Sequence, residues 1–301
     1  MYKNKKIQVM CVFVPDPFIA LYFNKCYQIW KDETDGLLVQ VNGCRKEVVD
    51  FIADLYKEEF VIKHYHHSNQ GIAFDELYKH FDADILGTMC SDNFVFKKGV
   101  ITDEISKLYQ YDAIGSSGLH VRPPEMADKI AKKFTTCRLN PFMSFWRADK
   151  LKEIEPFTFQ SVIMPEGSTI AGMEFSPEGW LDCMVEMYIK FAERGNKVFI
   201  HGADNPPKWI HASGLSSGVY GHFRHSDGHN LAGNDRKMFD ANLHLGLLGW
   251  WWKVYHETVG DCPLKDFNKE YLTALKEKIK ISGYTDDQVA QEADRLTKEI
   301  Q

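Results

Sequence analysis

Through residues 7–90, short apolar runs rich in β-branched residues alternate with stretches whose apolar positions recur every three or four residues. The runs Ile7–Val14, Leu37–Asn42, Phe60–His66 and Asp84–Cys90 have strand length and end at turn residues, which predicts four β-strands. Between them, Phe18–Trp30, Lys46–Lys57 and Gly71–Phe81 predict helices, the second carrying Val49, Ile52, Ala53 and Tyr56 at helical spacing. Strict alternation of this kind is the signature of βαβ units stacked around a mostly parallel sheet.

Beyond Asp92 the pattern loosens. A strand is expected near Asp112–Ser116, a helix over Glu125–Lys133 opened by two prolines, and a strand near Pro141–Trp146. The Gly/Pro/Ser-rich segment 165–177 precedes an expected helix at Gly179–Arg194 that Gly195 stops, and Lys197–His201 reads as a further strand. Residues 209–234, rich in His, Gly and Ser, show little periodicity and read as a long functional loop or lid. Helical spacing then returns at Asp235–Glu257 and Lys265–Ile281, followed by a last helix opened by Thr285 with Gln288 in capping-box position. The expected division is an α/β domain over 1–233 and a helical C-terminal extension over 234–301.

The chain's 301 residues, 44% of them apolar, suffice for one sizeable core. A net charge of −6 excludes the broad basic field that non-specific nucleic-acid binding needs, and leaves room only for a local basic groove. Seven scattered cysteines with no C-x-x-C pair suggest reduced thiols and a cytoplasmic location. The apolar run after the N-terminal lysines is short and ends at Pro15, so it reads as a first strand, not a leader, and no apolar stretch is long enough to span a membrane.

In an open parallel sheet, ligands bind beyond the C-terminal ends of the strands, which directs attention to the residues that follow them. These are Val14, Pro15 and Asp16; Asn42 and Gly43; Asn69 and Gly71; and Ser91, Asp92 and Asn93. Asn42 suits a base or ribose edge, while Asn69 and Gly71 allow close backbone approach at a helix N-terminus. Asp92 suits a hard divalent cation, which needs few protein oxygens when a diphosphate supplies the others. As a plain alternative, Asp92 caps its own turn.

Here the sequence resembles the GT-A glycosyltransferases, particularly family 2. The resemblance is carried by Asn69-Gln70-Gly71-Ile72-Ala73 at the third helix, by Cys90-Ser91-Asp92 in place of a D-x-D element, and by Val95-Phe96-Lys97-Lys98-Gly99 after it. Cys90 stands where the first acid of D-x-D would be. The strand Asn140–Asp149 is similar to one lining the acceptor side in that family, which implies acceptor roles for Phe145, Trp146 and Arg147. Glu178-Gly179-Trp180-Leu181-Asp182 looks like the segment carrying the family's catalytic base, with Asp182 first choice and Glu178 or Glu186 in reserve, and it adds Trp180 to the acceptor side. Trp209 to Ser217 resembles an H-x-x-G-x-S loop, which implies that His211 joins Asp92 at the metal and that Ser217 faces the acceptor.

The resemblance implies a metal-assisted, inverting transfer with Mn2+ or Mg2+ from a nucleotide sugar, a UDP-sugar first, to an acceptor hydroxyl. It leaves the acceptor between a saccharide and a modified nucleobase. Two rival readings stay open: a carbohydrate- or partner-binding protein of the same fold that has lost catalysis, and a nucleotidyltransferase. The second needs a Gly-rich basic loop after the first strand, where this chain has Val14-Pro15-Asp16-Pro17. His222, His225 and His229 have spacing compatible with a metal, and His64-Tyr65-His66-His67 reads as structural. Trp250-Trp251-Trp252 must point to different sides of one helix, so core packing, an oligomer contact through the C-terminal helices and acceptor binding are all candidate roles.

Overall fold

The computed structural model describes residues 4–13, 15–66, 68–202, 207–211, 245–281 and 283–300. The chain runs β1 (Ile7–Phe13), α1 (Pro17–Glu33), β2 (Leu37–Asn42), α2 (Lys46–Leu55), β3 (Phe60–His64), α3 (Gln70–Tyr78) and β4 (Ile85–Cys90), the alternation expected from the sequence. There follow β5 (Asn93–Phe94), α4 (Val100–Ser106), β6 (Ala113–Gly118), β7 (Val121–Arg122), α5 (Pro124–Phe134), β8 (Arg138–Arg147) and α6 (Ala148–Lys152). Four short strands come next, β9 (Val162–Met164), β10 (Thr169–Ile170), β11 (Met173–Glu174) and β12 (Gly179–Leu181), then α7 (Val185–Glu193), β13 (Val198–His201) and β14 (Ile210–His211). Helices α8 (Leu245–Thr258), α9 (Lys265–Ile281) and α10 (Asp286–Ile300) end the chain.

Seven strands form the central sheet in the order β13-β6-β8-β4-β1-β2-β3. All of its pairings are parallel except the two made by β8, so the sheet is mostly parallel with one reversed strand. Chain order reverses at β1, which has β2 on one side and β4 on the other. That switch point opens a crevice beyond the C-terminal ends of β1 and β4, where the two connections leave in opposite directions.

Side chains of β1 alternate between two cores, as the period of a strand requires. Val9, Cys11 and Phe13 meet α1 and α2 through Phe23, Val49 and Ile52, while Met10 and Val12 meet α3 through Phe74 and Leu77. The first of these cores also contains Leu248, Trp250, Trp251, Tyr255, Tyr271 and Val289, so the C-terminal helices share a core with the sheet. Trp250 and Trp251 are buried and Trp252 lies half-buried against Tyr255 and His256, which gives the first two a packing role. Gly249 is where α8 meets α10 backbone to backbone, since a Cβ there would lie 2.6 Å from the Val289 carbonyl oxygen. At the start of α10, the Thr285 amide donates to Gln288 Oε1 (2.9 Å) and the Gln288 amide donates to Thr285 Oγ1 (3.3 Å), the reciprocal capping box its sequence predicts.

Two elements differ from expectation. Gly179–Leu181 is a strand rather than a helix start, pairing with β7 and β9 in a small antiparallel sheet, and α7 begins only after Met184. Gly179 is needed there because a Cβ would lie 2.2 Å from the Phe175 ring. The expected strand at Pro141–Trp146 begins at Arg138 and is the reversed one. The expected lid and the His222, His225 and His229 spacing lie outside the described residues.

Asp16 caps α1, its Oδ1 accepting from the amides of Phe18 (2.9 Å) and Ile19 (3.1 Å). Burial pushes its carboxyl up to about 6, against the pull of those amides and of the Tyr271 hydroxyl. The folded chain therefore holds this proton more tightly than the unfolded one. The resulting stabilisation is complete below the ordinary carboxyl value of about 4 and is lost as the pH rises through about 6. Asn caps a helix as well as Asp, so Asp16→Asn is expected to keep the helix and remove this pH dependence, on the order of 2–3 kcal/mol. Urea melts of both proteins at about pH 4.5 and about pH 7 check this, and equal pH slopes would contradict it.

Candidate active site

The β4 strand delivers Ser91, Asp92 and Asn93 to the switch point. The Ser91 amide donates to the Val12 carbonyl (3.2 Å), which ties the turn to the end of β1. All three residues are buried. Ser91 Oγ and Asn93 Oδ1 have no hydrogen-bond partner among the described residues. Two orphaned buried oxygens beside a carboxylate are an arrangement that a ligand resolves.

His211 reaches the same place from far along the chain. β14 pairs antiparallel with β5, setting His211 opposite Asn93, and brings His211 Nε2 to 3.6 Å from Asp92 Oδ1. The imidazole stacks on Phe142, with ring centroids 3.9 Å apart. Burial lowers its pKa, the Asp92 carboxylate opposing, which favours the neutral ring. A neutral imidazole nitrogen and a carboxylate oxygen at this separation form a donor set that fits a cation such as Mn2+ or Mg2+. Among the described residues no group of three or more His, Cys, Asp or Glu is placed to hold a metal. A cation at Asp92 and His211 thus needs oxygens from a ligand. Cys90 adds no charge: burial pushes its thiol well above the usual range, Asp92 pushes it further, and Gln70 Nε2 donates to its sulfur.

Phe142 owes its position to an irregularity in β8. The pairing of β8 with β6 jumps between Gly115 opposite Ser144 and Ser117 opposite Leu139, leaving Asn140 to Met143 bulged out of that ladder. Bulges re-aim side chains beside functional sites, and Pro141, a residue that cannot donate to a ladder, was the sequence signal for one.

On the other side of β8 lies Asp182. Its Oδ2 accepts from Arg138 Nη1 at 2.7 Å, its Oδ1 accepts from the Cys183 amide at 2.8 Å and from Ser161 Oγ at 3.3 Å, and His120 Nδ1 is 3.7 Å away. The Asp182 amide donates to the His120 carbonyl just past the end of β6, so this carboxylate also stands at the C-terminal edge of the sheet. Asp92 follows β4 and Asp182 lies by the end of β6, with β8 between those two strands in the sheet. Arg138, only 2% exposed, was missed in the sequence because a basic residue at a strand start carries no signal of its own.

The other expected site residues divide clearly. Asn42 is buried at the end of β2, its Oδ1 accepting from Gln40 Nε2 (3.0 Å), and Pro15 is buried against Gly43. Asn69 caps α3 by accepting from the Gly71 amide (2.9 Å). Gly71 is required by the chain itself, since a Cβ would lie 2.5 Å from the Phe159 carbonyl oxygen. Trp180 is half-buried on β12 near Asp182, with Ile163 and Arg122 as its cross-strand neighbours and the Arg122 guanidinium over its ring. Glu178 is exposed, and Glu186 is held by Lys190 (2.7 Å).

Phe145, Trp146 and Arg147 do not line the site. The first two are buried in the cores, and the reversed direction of β8 carries Arg147 to the opposite end of the sheet, opposite Ile85 and paired with Asp112 and Asp149. Val14 and Ser217 lie outside the described residues.

No protein-family model matches the chain, and no curated protein does. Among solved structures it is similar to the mannosyltransferase PcManGT from Pyrobaculum calidifontis in complex with GDP-Man and Mn2+. That likeness has a TM-score of 0.44 at 10% identity and covers 91% of this chain and 86% of the other. It is also similar to glucosyl-3-phosphoglycerate synthase from Mycobacterium tuberculosis in complex with Mn2+, UDP-glucose and phosphoglyceric acid, with a TM-score of 0.37 at 12% identity, covering 50% of this chain and 59% of that one. At identities and scores this small, the function of the site has to be read from this chain's own residues.

Proposed function

We propose that the chain is a glycosyltransferase that moves a sugar from a nucleotide sugar to an acceptor hydroxyl, assisted by a divalent cation and with inversion at the anomeric carbon. The observation that carries the reading is the meeting of Asp92 and His211 at the switch point of a mostly parallel sheet, beside the orphaned oxygens of Ser91 and Asn93. A turn aspartate serving only its own loop gives no reason for a half-buried histidine from a distant strand to arrive beside it.

Asp92 and His211 would hold Mn2+ or Mg2+ at the diphosphate of the donor, a UDP-sugar being the first choice. When bound, the cation offsets negative charge that develops on the departing nucleoside diphosphate. Asn42 and Pro15, at the ends of β2 and β1, would face the nucleoside, with Asn69 and Gly71 at the start of α3 beside them. Asp182 takes the proton of the acceptor hydroxyl as its oxygen bonds to the anomeric carbon and the bond to the diphosphate breaks. Arg138, His120 and Ser161 fix that carboxylate, and the half-buried Trp180 would offer the acceptor, a saccharide by preference, an aromatic surface.

Incubating the protein with a panel of UDP- and GDP-sugars and Mn2+, and measuring release of the nucleoside diphosphate, tests the reading. Release that depends on the metal supports it. Donor binding with no release, even with saccharide acceptors present, replaces it with a binding protein that keeps the fold but not the catalysis.

A further inference from the structure

The C-terminal helices touch both loops that frame the switch point, and they do so through polar as well as apolar contacts. Trp251 Nε1 donates to the Tyr271 hydroxyl, which donates to Asp16 Oδ2 at 3.1 Å. The other Asp16 oxygen holds the first amides of α1. All three residues are buried, with exposures of 0%, 1% and 2%. On the other side of the crevice, the Trp250 ring lies 5.4 Å from that of Phe94, which neighbours Asn93 in the strand that aligns His211. Trp250 also meets Tyr22 of α1, at 5.4 Å.

We propose that the C-terminal helices are the positioning element of the donor site, setting the loop after β1 through the Trp251–Tyr271–Asp16 chain and the Asp92 turn through Trp250 and Phe94. Apolar packing alone tolerates small displacements. A buried chain of three polar groups does not, because each link that opens strands a donor or acceptor away from water. The backbone contact at Gly249 packs α8, which carries both tryptophans, closely against α10. Tyr271 and Trp250 are therefore positioning residues, acting through Asp16 and Phe94. The binding half of this proposal rests on the donor-site reading above; the structural half does not.

Tyr271→Phe removes a single oxygen and leaves the ring against Phe18 and Tyr255. In the ligand-free protein, the amides of Phe18 and Ile19 are expected to exchange with deuterium about ten-fold faster or more, with residues 93–94 following. Well below its melting temperature, the variant is expected to bind UDP with Mn2+ about five-fold more weakly or worse. Leu275→Ala, a buried apolar truncation on the same helix, serves as a control for lost stability alone and is expected to leave both readouts near wild type. Should Tyr271→Phe fail to fold, Trp251→Phe opens the same chain at its other end. Unchanged exchange in the chain-breaking variant, or equal effects from Leu275→Ala, would overturn the proposal. If the wild-type protein binds no nucleotide, the donor reading falls and the exchange comparison alone decides the positioning claim.

Discussion

Replacing Asp92 with alanine is expected to abolish metal-dependent binding of a nucleoside diphosphate, weakening it by about 100-fold or more, or about 2.8 kcal/mol. The size follows from the donor set. With Cys90 a neutral thiol, Asp92 and His211 are the two side chains proposed to ligate the cation, so losing the carboxylate would remove the negative charge of that pair. The side chain makes no contribution to the apolar core, and the turn is also held by the Ser91 amide on Val12, so the variant is expected to remain folded. Calorimetry with UDP and Mn2+ checks the affinity, and circular dichroism checks the fold. Wild-type affinity in the variant would sink the assignment of the site.

Asp182→Asn is expected to act in the opposite way. Donor affinity stays within about two-fold, while kcat falls by about 100- to 10,000-fold, the range for a lost general base. Asn keeps one oxygen for the Arg138 guanidinium, which matters because a buried Arg without its partner costs several kcal/mol. Some loss of stability therefore accompanies the variant, and single-turnover measurement at saturating donor, well below its melting temperature, separates that loss from the chemistry. If turnover is unchanged, the carboxylate serves only to hold Arg138, and catalysis must be sought elsewhere on the acceptor side.

The elements that framed the site were legible because local chemistry and tertiary environment agree there. β1, β2 and β4 are apolar runs in a sheet covered on both faces, and α10 announces itself by its capping box. Asp92 stood out by position and His211 was joined to it only by the resemblance; in the fold the pairing of β5 with β14 brings them together, and no spacing in the sequence contains that long-range register. The acceptor residues failed for a related reason. The run Phe142–Arg147 reads the same in either direction, and it is the reversal of β8 that takes Arg147 to the far end of the sheet while leaving Phe142 over His211. Gly179-Trp180 reads as a helix start beside an acidic residue, yet the Phe175 ring and the pairing to Arg122 and Ile163 make it a strand. The tie between the C-terminal helices and the donor loop was equally hidden. Asp16 and Tyr271 are far apart in sequence, and neither residue signals a buried partner by itself.

The central claim, that Asp92 and His211 form a donor site needing a cation, is tested most directly by calorimetric titration of the full chain with UDP, with Mn2+ present and then chelated. The account predicts saturable binding of one UDP per chain with the metal and none without it. UDP binding of equal affinity in both conditions, or no binding in either, would contradict it.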